Sequence, residues 1–280
     1  MSYGRLLRSE LRLVFGRRRN QLLLAVVAIF PLLIGIGLKT AQPRGGGGGG
    51  GGGGGNGSAA FFSQLAGNGV FLTFIALSIL LLLVLPVVVA VVAGDSIAGE
   101  AGHGTLRYLL TAPAGRVRLL AVKYAAVVAW GIAATFMVSV VALLVGVILF
   151  PVGPVTLLSG VTVPLSDGLV RVLLVTLYIC VAMAALGAIG LAISTVTEHP
   201  IGAIAALLVL VVTSEVLDTI PQFASVGPYL PTHWWTSFDA ILRTPADTST
   251  LTRGLLSFAA YGVLCSLLAW ARFTTADVTS

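Results

Sequence analysis

The chain has 280 residues, 57% hydrophobic and only 9% charged, with 16 Lys and Arg against 10 Asp and Glu. A soluble domain carries about a quarter charged residues, so this composition excludes a soluble globular protein and dictates an integral membrane one. The pI near 9.8 comes from basic residues placed beside apolar runs rather than on a soluble face, which argues for a membrane-topology signal and against a nucleic-acid partner.

Residues 1–19 (MSYGRLLRSELRLVFGRRR) predict a basic amphipathic helix. Leu6, Leu7, Leu13 and Val14 share an apolar side, while Arg5, Arg8, Arg12, Arg17, Arg18 and Arg19 supply charge. Such a helix is expected in the plane of an anionic cytoplasmic leaflet. A secretory signal competes, because three arginines precede an apolar stretch. The run from Leu22 to Leu38 is long for a signal core, however, and no small-residue cleavage site follows. The reading is an uncleaved first span over about 21–38 with the N-terminus inside.

The loop over 40–68 contains the glycine tract Gly45 to Gly55, which cannot bury apolar surface and acts as a flexible external tether. It lacks the Lys-Ser/Thr ending of a phosphate-binding loop. Span two covers about 70–93, with a kink expected at Pro86. The loop over 95–118 returns to the cytoplasm. Within it Leu106, Leu109 and Leu110 stand at helical spacing with Arg107 directed elsewhere; Gly99, Gly102 and Gly104 loosen its start, and Pro113 ends it. Span three covers about 119–150, before Pro151, Gly153 and Pro154.

Span four covers about 171–195. Cys180, Ala184, Ala188 and Ala192 recur every four residues beside Gly187 and Gly190, a pattern that lets membrane helices approach closely. It fits a subunit interface and packing within one bundle equally well. After the turn at Thr197 to Pro200, span five covers about 201–220. Glu215 and Asp218 lie three apart on one helical face. Acidic groups near membrane depth are costly and often functional; close to Pro221 they are also placed for simple solvation.

Residues 221–252 form an external segment whose Tyr229, His233, Trp234, Trp235 and Phe238 suit an interfacial aromatic belt, with one or two short helices re-entering toward the membrane. Span six covers about 253–270, and residues 273–280 form a cytoplasmic tail. This topology places eleven Lys and Arg inside (Arg272 among them) and five outside (Lys39, Arg44, Arg171, Arg243 and Arg253), which accounts for all 16. The bias sets N-in and C-in. The fold class is thus an all-α membrane protein, with one six-helix domain over 20–272.

No Gly-x4-Gly-Lys-Ser/Thr loop and no His-Glu-x-x-His motif occur. ATP hydrolysis by this chain is not expected, nor is a metal site from three scattered histidines. Cys180 and Cys265 lie inside apolar runs and read as packing residues.

The run Glu100, Gly104-Thr105-Leu106, Leu109-Leu110, Pro113, Arg116 and Lys123 resembles the signature joining spans two and three of ABC transporter type-2 permeases. The basic first helix, six spans and long segment between spans five and six extend the resemblance over nearly the whole chain. The glycine tract departs from that family's usual first external loop.

The resemblance implies the permease subunit of an ATP-driven exporter in a bacterial cell membrane. Its partners would be a second permease subunit, identical or paralogous, and two copies of an ATP-binding subunit carrying ATP and Mg; this chain would hold no cofactor. Glu100, Gly104, Thr105, Leu106, Arg107, Leu109 and Leu110 would form a coupling helix seated in the ATPase. The leucines would anchor it, Glu100 and Arg107 would set its register, and Thr105 would cap it. Arg17, Arg18, Arg19, Arg116, Arg118 and Lys123 are expected to contact lipid headgroups. Apolar walls suit a hydrophobic or amphipathic cargo such as a drug, natural product or lipid. The competing reading is an ion-coupled carrier or ion-efflux permease working through Glu215 and Asp218.

Overall fold

The structure is a computed structural model that describes residues 3–41, 68–102 and 116–275. Gly104, Thr105, Leu106, Arg107, Leu109, Leu110 and the glycine tract lie outside the described residues, as does the tail beyond 275.

Among the described residues eight α-helices follow in order: α1 (Tyr3–Gly16), α2 (Arg18–Ala41), α3 (Phe71–Leu82), α4 (Val84–Gly102), α5 (Arg116–Leu149), α6 (Leu165–Ser194), α7 (Pro200–Thr219) and α8 (Thr248–Thr275). Among the described residues, α2, α5, α6, α7 and α8 are each long and apolar enough to cross a membrane, and α3 and α4 pass the same test as a pair bent by 50°, a broken span or a re-entrant loop. The break falls at Leu83, not at Pro86 itself. A proline ring clashes with the carbonyl four residues earlier, here Leu82, and its missing N–H is harmless only in a first helical turn. Ending α3 at Leu82 and starting α4 at Val84 meets both conditions.

Helix α6 is the axis of the bundle: 72% of its most apolar window is buried, against 17% in α2 and in α8. It packs on α4, α5, α7 and α8. Its small residues face these neighbours. A Cβ on Gly187 would lie 2.8 Å from Val127, and one on Gly190 would lie 2.7 Å from both Ala93 and Leu207. Within the chain, then, the small-residue seam is occupied by the bundle's own helices.

The position of α1 differs from the sequence expectation. It does not stand apart as a surface helix but runs lengthwise beside α5, from the Arg118 guanidinium over the Tyr3 ring (5.5 Å) to the Phe15–Trp130 ring contact (5.2 Å). The cause is the length of α5. Its 34 residues span about 50 Å, well beyond a hydrocarbon core of about 30 Å. Its charges, Arg116, Arg118 and Lys123, all precede the uncharged run that starts at Tyr124. The charged first turns of α5 therefore precede its uncharged run, and the half-buried Leu6, Leu7, Leu11, Val14 and Phe15 of α1 face α5 from there on to Trp130. Leu13 falls off this face and is 53% exposed. We call this the base of the bundle.

At the distal end, residues 151–164 carry a small antiparallel hairpin pairing Val155 with Val163, turned at Gly160 with φ of +78°. Asn68 donates to the Gly153 and Pro154 carbonyls and accepts from the Val70 amide, pinning the start of α3 to the end of α5. There the Gly69 and Gly146 backbones touch: a Cβ on Gly146 would sit 2.1 Å from the Gly69 carbonyl oxygen. Between α7 and α8 the chain forms three short 3-10 helices, Pro221–Phe223, Gly227–Tyr229 and Trp235–Leu242. The last of them buries Trp235, Phe238, Ile241 and Leu242 against α6 and α8. Asp247 then caps α8, accepting from the Ser249 and Thr250 amides and from both of their hydroxyls.

Two outcomes follow from this packing. Gly146→Ala should destabilise the bundle by about 1–3 kcal/mol, the usual cost of overpacking a close contact, read as a lowered Tm of the detergent-solubilised protein. Four hydrogen bonds to its charged form hold the Asp247 carboxyl down to about 2. A folded value below the unfolded one means that the cap is at full strength above the ordinary carboxylate range and is lost as pH falls through about 2. A carboxyl carbon NMR titration should place its midpoint there, and Asp247→Ala should abolish hydrogen-exchange protection at Ser249 and Thr250 at neutral pH.

Candidate functional site

Four segments meet at the base. Lys123, near the start of α5, is only 4% exposed, with its ammonium 2.6 Å from Glu100 on α4 and 3.6 Å from Glu10 on α1. A buried ammonium is tolerated only when paired and hydrogen-bonded, and two carboxylates from two different helices supply that here. Beside it, Asp95 accepts from Arg17 and, at 3.0 Å, from Arg19, across the α1–α2 junction. Asn20 closes the same junction by donating to the Val14 carbonyl at 2.7 Å, and Gln21 donates to that of Phe15 at 3.1 Å. These are C-terminal carbonyls of α1, which have no intrahelical donors. The charged side chains of Glu10, Arg17, Arg19, Asp95, Glu100 and Lys123 surround one small cavity.

A neutral clip holds α4 from its other side. Ser194, buried at the end of α6, donates to the Gly94 carbonyl at 2.9 Å and accepts from the Ile97 and Ala98 amides. One hydroxyl thus engages three groups of the α4 backbone within a single turn of Asp95. Helix α4 is gripped by α1 and α2 through Asp95, by α5 through Glu100 and by α6 through Ser194. Two residues beyond Glu100 it ends, where residues 103–115 begin.

The residues expected at lipid headgroups are mostly engaged by protein instead. Arg17 and Arg19 serve Asp95, Arg118 lies over Tyr3, and Lys123 is sealed beneath α1 and α4. Lys123 is the most fully engaged: only 4% exposed, its ammonium takes the carboxylates of Glu100 and Glu10. Arg18 is exposed, and the Arg116 side chain lies outside the described residues. Asp95 and Glu10 were not singled out from sequence. The signal existed for Glu10, which stands in register with Leu6, Leu7, Leu11 and Val14 as the one acid on the apolar face of α1.

At the distal end, Glu215 is partly buried near the end of α7, and Asp218 lies 2.5 Å from His233 Nδ1. Ser214 and Thr232, both buried, share a hydrogen bond of 2.7 Å one turn below. Tyr178 of α6 donates to the Trp234 carbonyl at 2.7 Å, and Tyr261 of α8 donates to that of Tyr229. Arg171 of α6 donates to the carbonyls of Ile241 and Arg243. The segment after α7 is thus fastened to three helices. Among the described residues, no group of three or more His, Cys, Asp or Glu is placed to hold a metal ion.

A family model described as ABC-2 family transporter protein matches residues 58–214, more than half of the chain. The chain belongs to the ABC-2 transporter family. It is a multi-pass membrane permease of the ABC class, a family that works with an ATP-binding subunit. No curated protein matches the sequence. The match takes in Asp95, Glu100, Lys123 and Ser194, but it ends one residue before Glu215 and excludes Glu10, Arg17 and Arg19.

The buried pairs set a measurable scale. Lys123→Met would take the buried ammonium away from Glu100 and Glu10, and removing one partner of a buried pair costs about 3–5 kcal/mol. The double variant Lys123→Met/Glu100→Gln, which removes both charges, should recover most of that loss. Thermal unfolding of the wild type, both single variants and the double variant gives the coupling; additive losses would show that the ion pair contributes nothing.

Proposed function

We propose that this chain is the transmembrane permease subunit of an ATP-driven exporter, moving a hydrophobic or amphipathic substrate outward by alternating access. A separate ATP-binding subunit, in two copies, binds ATP and Mg and does the hydrolysis, and a second permease subunit completes the pathway. The base faces the cytoplasm and both termini lie inside. This orientation rests on the excess of Lys and Arg at the base, and a bacterial cell membrane is the proposed location.

The observation that carries this reading is the placement of the ion-paired base. Residues 103–115, which bear Gly104, Thr105, Leu106, Arg107, Leu109 and Leu110, connect α4 directly to α5. These are the two helices that Lys123 and Glu100 bind together. A displacement of that segment by a soluble subunit would reach both helices at once. It would also reach α1 through Glu10, α2 through Arg19 and α6 through Ser194. Cohesion at this point turns a local push into movement of several spans, and Glu100 is its pivot.

The experiment is affinity purification of the tagged chain from mild-detergent membranes, with partners identified by mass spectrometry and vanadate-sensitive ATPase activity assayed. A stoichiometric ATP-binding subunit is expected, with activity stimulated by cargo. Glu100→Gln should leave that subunit bound while lowering substrate-stimulated ATPase about tenfold, a loss of roughly 1.4 kcal/mol of coupling. Preparations that lack an ATP-binding partner, under conditions that keep other transporter complexes intact, would overturn the reading in favour of a carrier working through Glu215 and Asp218.

A further inference from the structure

A second feature lies at the opposite end from the ion-paired base. A cavity of about 520 Å³ opens between α3, the end of α7, the segment Trp234–Leu242 and the first turn of α8. That volume is in the range that takes small-molecule ligands, about 300–1,000 Å³. Its apolar wall is aromatic: Phe74 from α3, Trp234 and Phe238. Two carboxylates stand on its rim, Asp218 and Asp239, and no Lys or Arg is among the described residues that line it.

The charge at this rim is only partly balanced from within, since three acids, Asp218, Asp239 and Glu215, outnumber the two basic partners, His233 and Arg243. Asp218 faces His233, which is cationic only when protonated, with Glu215 one helical turn away on the same element. Asp239 faces Arg243 at 3.4 Å, but both side chains are about half exposed, and Arg243 lies outside the lining. Arg171, the other nearby cation, is turned to the carbonyls of Ile241 and Arg243 and to Asp167. The cavity therefore presents negative potential over an aromatic floor, and aromatic faces attract cations through their quadrupole. The walls are also held in place: Trp234 donates its indole N–H to the Pro228 carbonyl at 3.0 Å and its own carbonyl is held by Tyr178.

We propose that this cavity is a binding site for an amphiphile with a cationic head, the head set between Asp218 and Asp239 and the apolar body against Phe74, Trp234 and Phe238. The site stands on its own geometry; that it serves the transported substrate rests on the permease reading above. An anionic amphiphile of the same size meets the same apolar floor but two unfavourable carboxylates, so discrimination by charge is the property that separates this site from a merely greasy cleft.

The test uses two probes matched in size and shape and opposite in charge, tetraphenylphosphonium and tetraphenylborate. Each is titrated calorimetrically into the purified full chain in a non-ionic detergent, with uptake by empty micelles subtracted. Saturable binding of the phosphonium is expected, about tenfold or more tighter than the borate, the scale of one cation–aromatic contact plus a partly exposed carboxylate. Asp239→Asn leaves the Asp218–His233 contact untouched and should weaken the phosphonium about three- to tenfold, with a smaller effect on the borate. Asp218→Asn should do the same, and an unchanged elution volume shows that each variant is folded. Equal affinities for both probes, preference for the borate, uptake no greater than that of empty micelles, or full affinity in both variants would each overturn the proposal. No ATP-binding subunit is present in the titration, so its failure would leave the purification result standing, and a missing partner there would leave this binding intact.

Discussion

The base of this protein is governed by one constraint, the burial of the Lys123 ammonium. An amine taken out of water costs several kcal/mol unless anions are brought to it. Glu100 and Glu10 are those anions, and they come from helices far apart in sequence. With α1 packed along the charged start of α5, Lys123 cannot stay solvated. The carboxylates must follow it in, and with them α1 and the end of α4. Asp95 with Arg17 and Arg19 repeats the arrangement in more exposed form, at the α1–α2 junction. Exposed pairs of this kind contribute little individually; their effect here is positional, because they fix where α4 leaves the bundle.

The bent pair divides its loyalties. Helix α3 packs on α5 and α2, whereas α4 packs mainly on α6 and α7 as well as α5. Pro86 makes this possible by ending one helix and permitting the next to start in a new direction. At the distal end the Gly69–Gly146 contact locks α3 to α5 with no side chain between them. At the base Ser194 and Glu100 lock α4 to α6 and α5. The bent pair is therefore fixed to α5 at both ends and to α6 at the base, and its one irregular residue, Leu83, lies between these attachments.

The apolar helices were legible because uncharged runs of about 20 residues have few alternatives; among the described residues five single helices and one bent pair fall on such runs. Small residues on α6 announced close packing, though not with which helices. What stayed hidden was every long-range polar contact. Lys123 is hydrophobically unremarkable in sequence, one basic residue before an apolar run, and headgroup contact is the ordinary fate of such a residue. Only the packing of α1 along the charged start of α5 changes that outcome. Asp218 and His233 were each visible, but they stand fifteen positions apart with two short 3-10 helices between them. Periodicity cannot join two groups across such a segment. Ser194 likewise reads as an ordinary helix-end serine until α4 is placed beside it.

The two ends of the bundle are fastened by different physics, and the difference bears on how the molecule could change shape. At the base the ties are charge pairs around a buried ammonium, strong and costly to break one at a time. At the distal end they are mainly hydroxyl and guanidinium donors meeting backbone carbonyls: Tyr178 to Trp234, Tyr261 to Tyr229, Arg171 to Ile241 and Arg243. Water can replace such partners at a net cost of about 0.5–1.5 kcal/mol for each neutral tyrosine bond and about 1.5–3 kcal/mol for those of the Arg171 guanidinium. A force delivered at the base would accordingly be carried as rigid displacement of α4, α5 and α6 together, while the distal segment yields bond by bond. The aromatic cavity is bounded by the same segment, so any exchange of these ties would reach its walls.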